Sequence, residues 1–174
     1  MRQYAIPFRG LKEGKHDFDL VVDNSFFEHF DSSEVKEGLV NVHVEMNKHA
    51  HFLELHFDLK GNVTLPCDRC LEPFVLAIDH RAVLYIRFGE KSYEQSEEVL
   101  VLADSTNEIG TEQYIYEYIH LALPYQRIHP MIDGQAGCDP EMMGKLDAHT
   151  RHDDESDSED PRWDKLRELI NNKK

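Results

Sequence analysis

Residues 39–59 read "LVNVHVEMNKHAHFLELHFDL", and the reading of this stretch decides the fold. In 39–46, Val40, Val42, Val44 and Met46 point one way, with Asn41, His43 and Glu45 opposite. In 52–59, Leu53, Leu55, Phe57 and Leu59 share a face. Period-two alternation of this kind means strands with one face buried, as in antiparallel sheets. The link around "NKHA" (47–50) is short enough for a hairpin. Working outward, "FVLAIDHRAVLYIRF" (74–88) alternates in the same way. Phe74, Leu76, Ile78, Ala82, Leu84, Ile86 and Phe88 share a face, and His80 interrupts them. Three long strands thus follow one another, the second and third joined through "GNVTLPCDRCLEP" (61–73).

On the N-terminal side, "RQYAIPF" (2–8) and "KHDFDLVV" (15–22) are expected to form an edge pair. "NSFFEHF" (24–30) is expected to be a short helix with Asn24 as N-cap. On the C-terminal side, "EEVLVLAD" (97–104) predicts a further strand, after which the period changes. "TEQYIYEYIHLAL" (111–123) places Ile115, Ile119 and Ala122 on one helical stripe, extended by Tyr114, Tyr118 and Leu121. Thr111 is the expected N-cap, and Pro124 ends the helix. The spacing predicts core packing against a sheet for this Tyr-rich stripe. The expected fold is α+β: a mostly antiparallel β-sheet or partly closed barrel with a few helices, over residues 1–125. A loosely structured segment with Cys138 follows (126–149), including a short helix from Pro140. Then come an acidic linker (150–160) and a C-terminal helix (161–174) with Pro161 in its first turn and Trp163, Leu166, Leu169 and Ile170 as its apolar stripe.

The chain has 174 residues and a formal net charge of −15. Affinity for a nucleic-acid duplex comes mainly from Lys and Arg neutralising phosphates, so the overall field opposes it. A direct RNA binder of this charge needs a local basic face; basic protein partners suit the field better. No run of about 18 apolar residues exists to span a membrane, and "MRQYAIPFRG" lacks the apolar centre of a signal peptide. The expected location is cytoplasmic, where thiols stay reduced.

The turn "LPCDRCLEPF" (65–74) holds Cys67 and Cys70, two of three cysteines. Three readings stand: half of a metal site, a redox pair, or a turn with reduced, non-liganding thiols. A C-x-x-C turn aims two thiolates at one point, and tetrahedral zinc needs two more ligands. Cys138 is the candidate third; His129 is a candidate fourth, His80 another. The redox reading needs a helix N-terminus behind Cys67, whereas Pro73 and a strand follow. His43, His49, His51 and His56 gather near the first hairpin and read as a solvated face. There is no phosphate loop, no dinucleotide glycine pattern and no nucleophile elbow. No acid–base pair is fixed by spacing. Nothing in the residues calls for an enzyme or a small-molecule substrate.

The stretch "LPCDRCLEPF" before a long strand, "YIYEYIHLALP" (114–124) and "DPRWDKLREL" (160–169) together resemble the YceD family, the large ribosomal RNA subunit accumulation proteins. The resemblance spans about residues 60–170. It implies a bacterial cytoplasmic factor supporting synthesis, processing or stability of large-subunit ribosomal RNA, and no catalytic residues. Cys67, Arg69 and Cys70 match the family's cysteine turn. Some branches carry a second cysteine cluster after "LALP"; here only Cys138 remains, with His129 nearby. Zinc, if bound, would take Cys67, Cys70, Cys138 and one His. A factor acting by binding would engage a ribosomal precursor particle, large-subunit rRNA or basic ribosomal proteins through Arg69, with Arg81 and Arg87 on one strand face. The alternatives are an interaction module docking through the Trp163 helix and a metal-dependent RNA-processing enzyme.

Overall fold

The computed structural model describes residues 2–132 and 135–150. The expected C-terminal helix and nearly all of the acidic linker lie outside them. Two compact units are present, Met1–Asp139 and Pro140–Lys174. In chain order the first carries β1 (Ala5–Pro7), β2 (Gly14–Val22), α1 (Asn24–Phe27), β3 (Glu37–Lys48), β4 (Phe52–Pro66), β5 (Pro73–Gly89), β6 (Tyr93–Ser96), β7 (Val99–Ala103), β8 (Glu108–Gly110), α2 (Glu112–Leu121), β9 (Met131–Ile132) and β10 (Gln135–Ala136). The described part of the second unit is α3 (Pro140–His149) with Thr150, and exposed Glu141 and Lys145 pair on it, Nζ to Oε1 being 2.7 Å.

The alternating segments form one six-stranded sheet in the order β2-β3-β4-β5-β7-β6. All neighbours are antiparallel except β5 and β7. The sheet is open, with β2 and β6 as edges, so the partly closed barrel is not formed. Each apolar face predicted for β3 and β4 is buried: Val40, Val42, Val44 and Met46 lie beside Leu53, Leu55, Phe57 and Leu59. Gly61 shares the parity of the buried row of β4, opposite Val40 of β3. A Cβ there would run into the Leu39 carbonyl oxygen and sit 2.6 Å from Val40 Cα.

Helix α2 covers this apolar face, burying Tyr114, Ile115, Tyr118 and Ile119. The Tyr118 ring meets Phe57 edge-on at 5.2 Å. Leu121 does not extend the stripe: it is the last residue of the helix and is 71% exposed. Thr111 stands at the N-cap, but its hydroxyl donates to the Tyr4 carbonyl (2.7 Å) rather than capping the helix.

The N-terminal pairing differs from expectation. β1 pairs with β8, Ile6 opposite Ile109, while β2 joins β3. Ile6, Ile109, Phe26 and Phe27 are all buried. Burying these apolar groups together outweighs the sequence proximity of β1 and β2. The N-cap of α1 is Asp23 rather than Asn24; the Asn24 side chain instead accepts from the Gly38 N–H (2.9 Å).

Candidate metal centre

The centre is built on the turn between β4 and β5. Pro66 and Pro73 face each other as the last rung of that ladder. Within it, Cys67 N–H donates to the Glu72 carbonyl and Leu71 N–H to the Cys67 carbonyl, both at 3.0 Å. The Arg69 N–H points at Cys67 Sγ, 3.4 Å away. Closing so tight a turn requires a left-handed residue, and Leu71 supplies it with φ +64°. The turn therefore aims Cys67 and Cys70 inward, where both are buried, and leaves Arg69 and Leu71 in solvent.

The segment after α2 completes the cluster. Asp68 N–H donates to the Arg127 carbonyl and Asp68 Oδ2 accepts from the Arg127 N–H, each at 2.7 Å. Arg127 also reaches Glu34, Nη1 to Oε2 at 2.6 Å. This clasp brings His129 over the turn, its ring 5.1 Å from that of Phe74. β9 and β10 then fold back on each other, and Gly137 closes against the Pro130 carbonyl. A Cβ at Gly137 would lie 2.8 Å from that oxygen. Cys138 thus returns to the turn 71 residues after Cys67, buried.

The ligand atoms of Cys67, Cys70, His129 and Cys138 all lie within 4.8 Å of one another. Cys67 Sγ is 3.8 Å from Cys138 Sγ, and Cys70 Sγ is 3.4 Å from His129 Nδ1. Zinc–sulfur bonds of about 2.3 Å at tetrahedral angles require sulfurs about 3.8 Å apart, and a shorter zinc–nitrogen bond brings nitrogen slightly closer. The donor set and its spacing fit such an ion. Three cysteines and one histidine form a set found in structural zinc sites.

The electrostatics point the same way. Burial pushes the Cys67 thiol up, but the backbone N–H groups of Cys70, Arg69 and His129 outweigh it and bring it down to about 6. Burial raises Cys138, and the sulfurs of Cys67 and Cys70 raise it further. Two thiolates 3.8 Å apart repel by about 4 kcal/mol at an effective dielectric of 20. Without a cation the cluster holds one thiolate easily and resists the next; a divalent cation reverses that balance.

All three cysteines are free thiols. No helix starts behind Cys67; the turn runs into β5, so the geometry a redox pair needs is missing. His80 lies apart from the cluster. It sits seven residues up β5, roughly 20 Å from Pro73, opposite Leu59 and 6.2 Å from the Tyr118 ring. Arg69 is exposed on the turn. Arg81 and Arg87 both emerge from the open face of the sheet, Arg81 beside Asp58 (3.7 Å) and Arg87 opposite Phe52 at the far end. On the same face His43 meets Asp19 (2.8 Å) and Asp17 (3.5 Å), and His56 meets Glu54 (3.1 Å). Among the described residues, no helix is long and apolar enough to cross a membrane.

Residues 55–170 match the family described as Large ribosomal RNA subunit accumulation protein YceD. Comparisons with curated proteins and with solved structures returned no match.

Proposed function

We propose a function from one premise: the chain belongs to the YceD family. On this reading it is a bacterial cytoplasmic factor that supports synthesis, processing or stability of large-subunit ribosomal RNA, by binding a ribosomal precursor particle rather than by turnover. The observation that carries the reading is the family match over residues 55–170, which takes in the Cys67–Cys70 turn, β5 and α2.

The Cys/His centre supports the binding half of the proposal. Cys67, Cys70, Cys138 and His129 would hold zinc, which when bound supplies a rigid cross-link between the turn and the segment after α2. Four protein ligands leave no open position for water, as in structural rather than catalytic sites. The residues' own contribution is positional. The Asp68–Arg127 clasp and the left-handed Leu71 fix the turn, and the turn presents Arg69 to solvent. The net charge of −15 suits basic ribosomal proteins as neighbours in the particle.

The test is the ratio of large- to small-subunit ribosomal RNA in cells depleted of the protein. Those cells are then supplied with wild type or with Cys67→Ser/Cys70→Ser. The expected result is a fall on depletion, recovery with wild type, and weak recovery with the folded cysteine variant. An unchanged ratio on depletion would overturn the reading.

A further inference from the structure

The chain holds 34 Asp and Glu against 19 Lys and Arg, and several cations of its sheet are neutralised. Lys15 pairs with Glu45, and Lys60 and Arg81 with Asp58. Four cations without a carboxylate partner gather at the end of the sheet remote from the cysteines, while Lys36 and Arg69 stand unpaired elsewhere among the described residues. Among the described residues, Arg9, Lys48, Arg87 and Lys91 enter no ion pair. Lys48 Nζ donates to the carbonyls of Phe8 (2.9 Å) and Leu11 (2.8 Å). Arg9 donates to the Asp104 carbonyl (2.9 Å) and to Asn107 Oδ1 (3.0 Å). Neutral oxygens hold these two cations in place without cancelling their charge.

The strand registers lay a row across the open face at this end. Phe52 of β4 is opposite Arg87 of β5, Arg87 is beside Val101 of β7, and Val101 is opposite Tyr93 of β6. Three strand spacings put Phe52 and Tyr93 about 14 Å apart. Tyr93 is 57% exposed and Phe52 37%. His49 stacks flat on Phe52, with ring centres 4.1 Å apart and planes at 17°. Lys91 lines the same groove as Arg87 and Tyr93. A second groove with Arg9 and Lys48 adjoins it through His51 and Phe88. Two carboxylates, Glu90 and Asp104, also line this surface.

Exposed aromatic rings on a sheet, flanked by unpaired cations, are the chemistry that stacks unpaired bases and tracks a phosphate backbone. From this juxtaposition we infer that the Phe52–Arg87–Tyr93 end of the sheet binds single-stranded RNA. Bases stack on Phe52 and Tyr93, and phosphates meet Arg87, Lys91 and the adjoining Arg9–Lys48 groove. The inference deepens the function proposed above and rests on it for the identity of the RNA. The platform lies at the opposite end of β4 from the Cys67–Cys70 turn, a strand length of roughly 45 Å. A duplex offers no free base faces to these rings, and a basic protein would meet the uncompensated cations.

The probe is a fluorescein-labelled oligouridylate of about 15 nucleotides, followed by anisotropy against the full chain at several salt concentrations. Arg87→Ala/Lys91→Ala should lower the slope of log affinity against log salt by about 1.4, at about 0.7 per phosphate contact on a single strand. Tyr93→Ala should weaken binding about tenfold. Arg69→Ala, at the other end, should change neither. All of these side chains are exposed, and circular dichroism melts confirm that each variant is folded. Absence of oligonucleotide binding by wild type, an unchanged salt slope in the double variant, or equal competition by duplex RNA would overturn the inference. Wild type that restores the ribosomal RNA ratio without binding the oligonucleotide sinks this inference and leaves the function standing. Binding to the oligonucleotide with no effect of depletion on that ratio does the reverse.

Discussion

Zinc should stabilise the first unit by an amount its size allows one to state. A ligand that binds only the folded state adds about 4.1 kcal/mol when its free concentration is a thousand times Kd. The unit Met1–Asp139 contains 139 residues, and unfolding entropy is about 2.1 cal/mol/K per residue, or about 0.29 kcal/mol/K in all. Dividing the two gives a rise in melting temperature of about 14 °C. Each further tenfold in free zinc adds about 1.4 kcal/mol, or about 5 °C. The assay is differential scanning calorimetry of the full chain in zinc buffers and in chelator. Cys138→Ser removes the ligand that arrives from the distant segment and should lose most of the shift at the same free zinc. His80→Ala, outside the cluster, should keep it. A melting temperature indifferent to zinc, or a full shift in Cys138→Ser, would refute the argument that these four side chains form one coordination sphere.

Other outcomes follow from the geometry. Gly61→Ala should cost about 3 kcal/mol or more in urea unfolding, since the added methyl meets backbone of β3 rather than a yielding side chain; a near-native midpoint would contradict the close strand approach. Leu71→Gly should raise stability by about 0.5 kcal/mol, because Leu71 is exposed and left-handed, so strain of about 1–2 kcal/mol is released against the entropy glycine adds. A loss above about 1 kcal/mol would mean the leucine side chain holds the turn. The hydrogen bond that the protonated His43 ring donates to Asp19, aided by the charges of Asp19 and Asp17, raises the His43 pKa above 6.5. Its stabilising contribution is therefore complete below about pH 6.5 and fades as pH rises through the folded-state value. Asp19→Asn should lower the His43 midpoint in an NMR titration and flatten that part of the stability profile.

What the sequence made legible was local. The alternation in 39–59 and 74–88 located three strands and their buried faces because period two is imposed by each strand on itself. The helix over 112–121 showed in the same way, except at Leu121, which ends the helix in solvent. Pairings between distant segments were not legible. β1 finds β8 because Ile6 and Ile109 need a common apolar shelter, and no pattern within either three-residue strand announces it. His129 could be named beside Cys138, but His80 stood as a rival, and it is the Asp68–Arg127 clasp that brings His129 to the turn. The row Phe52–Arg87–Tyr93 draws one residue from each of three segments. Arg87 could be singled out with Arg81 by parity, but the structure gives them different neighbours, a carboxylate for one and aromatic rings for the other.

The pairing of β1 with β8 also governs the order in which a growing chain can acquire its structure. Ala5 waits for Gly110, 105 positions later. At about 5–20 residues per second of synthesis, the first strand stays without its partner for roughly 5–20 s. Cys67 and Cys70 wait for Cys138 in the same way, so for several seconds the emerging turn can grip a metal ion with two sulfurs only. The residues of β2–β5 are all made by then, while the partners of β1 and of the cysteine turn are still to come. Translation itself thus sets the order in which partners become available: β2–β5 first, β8 for strand β1 next, Cys138 for the metal centre last.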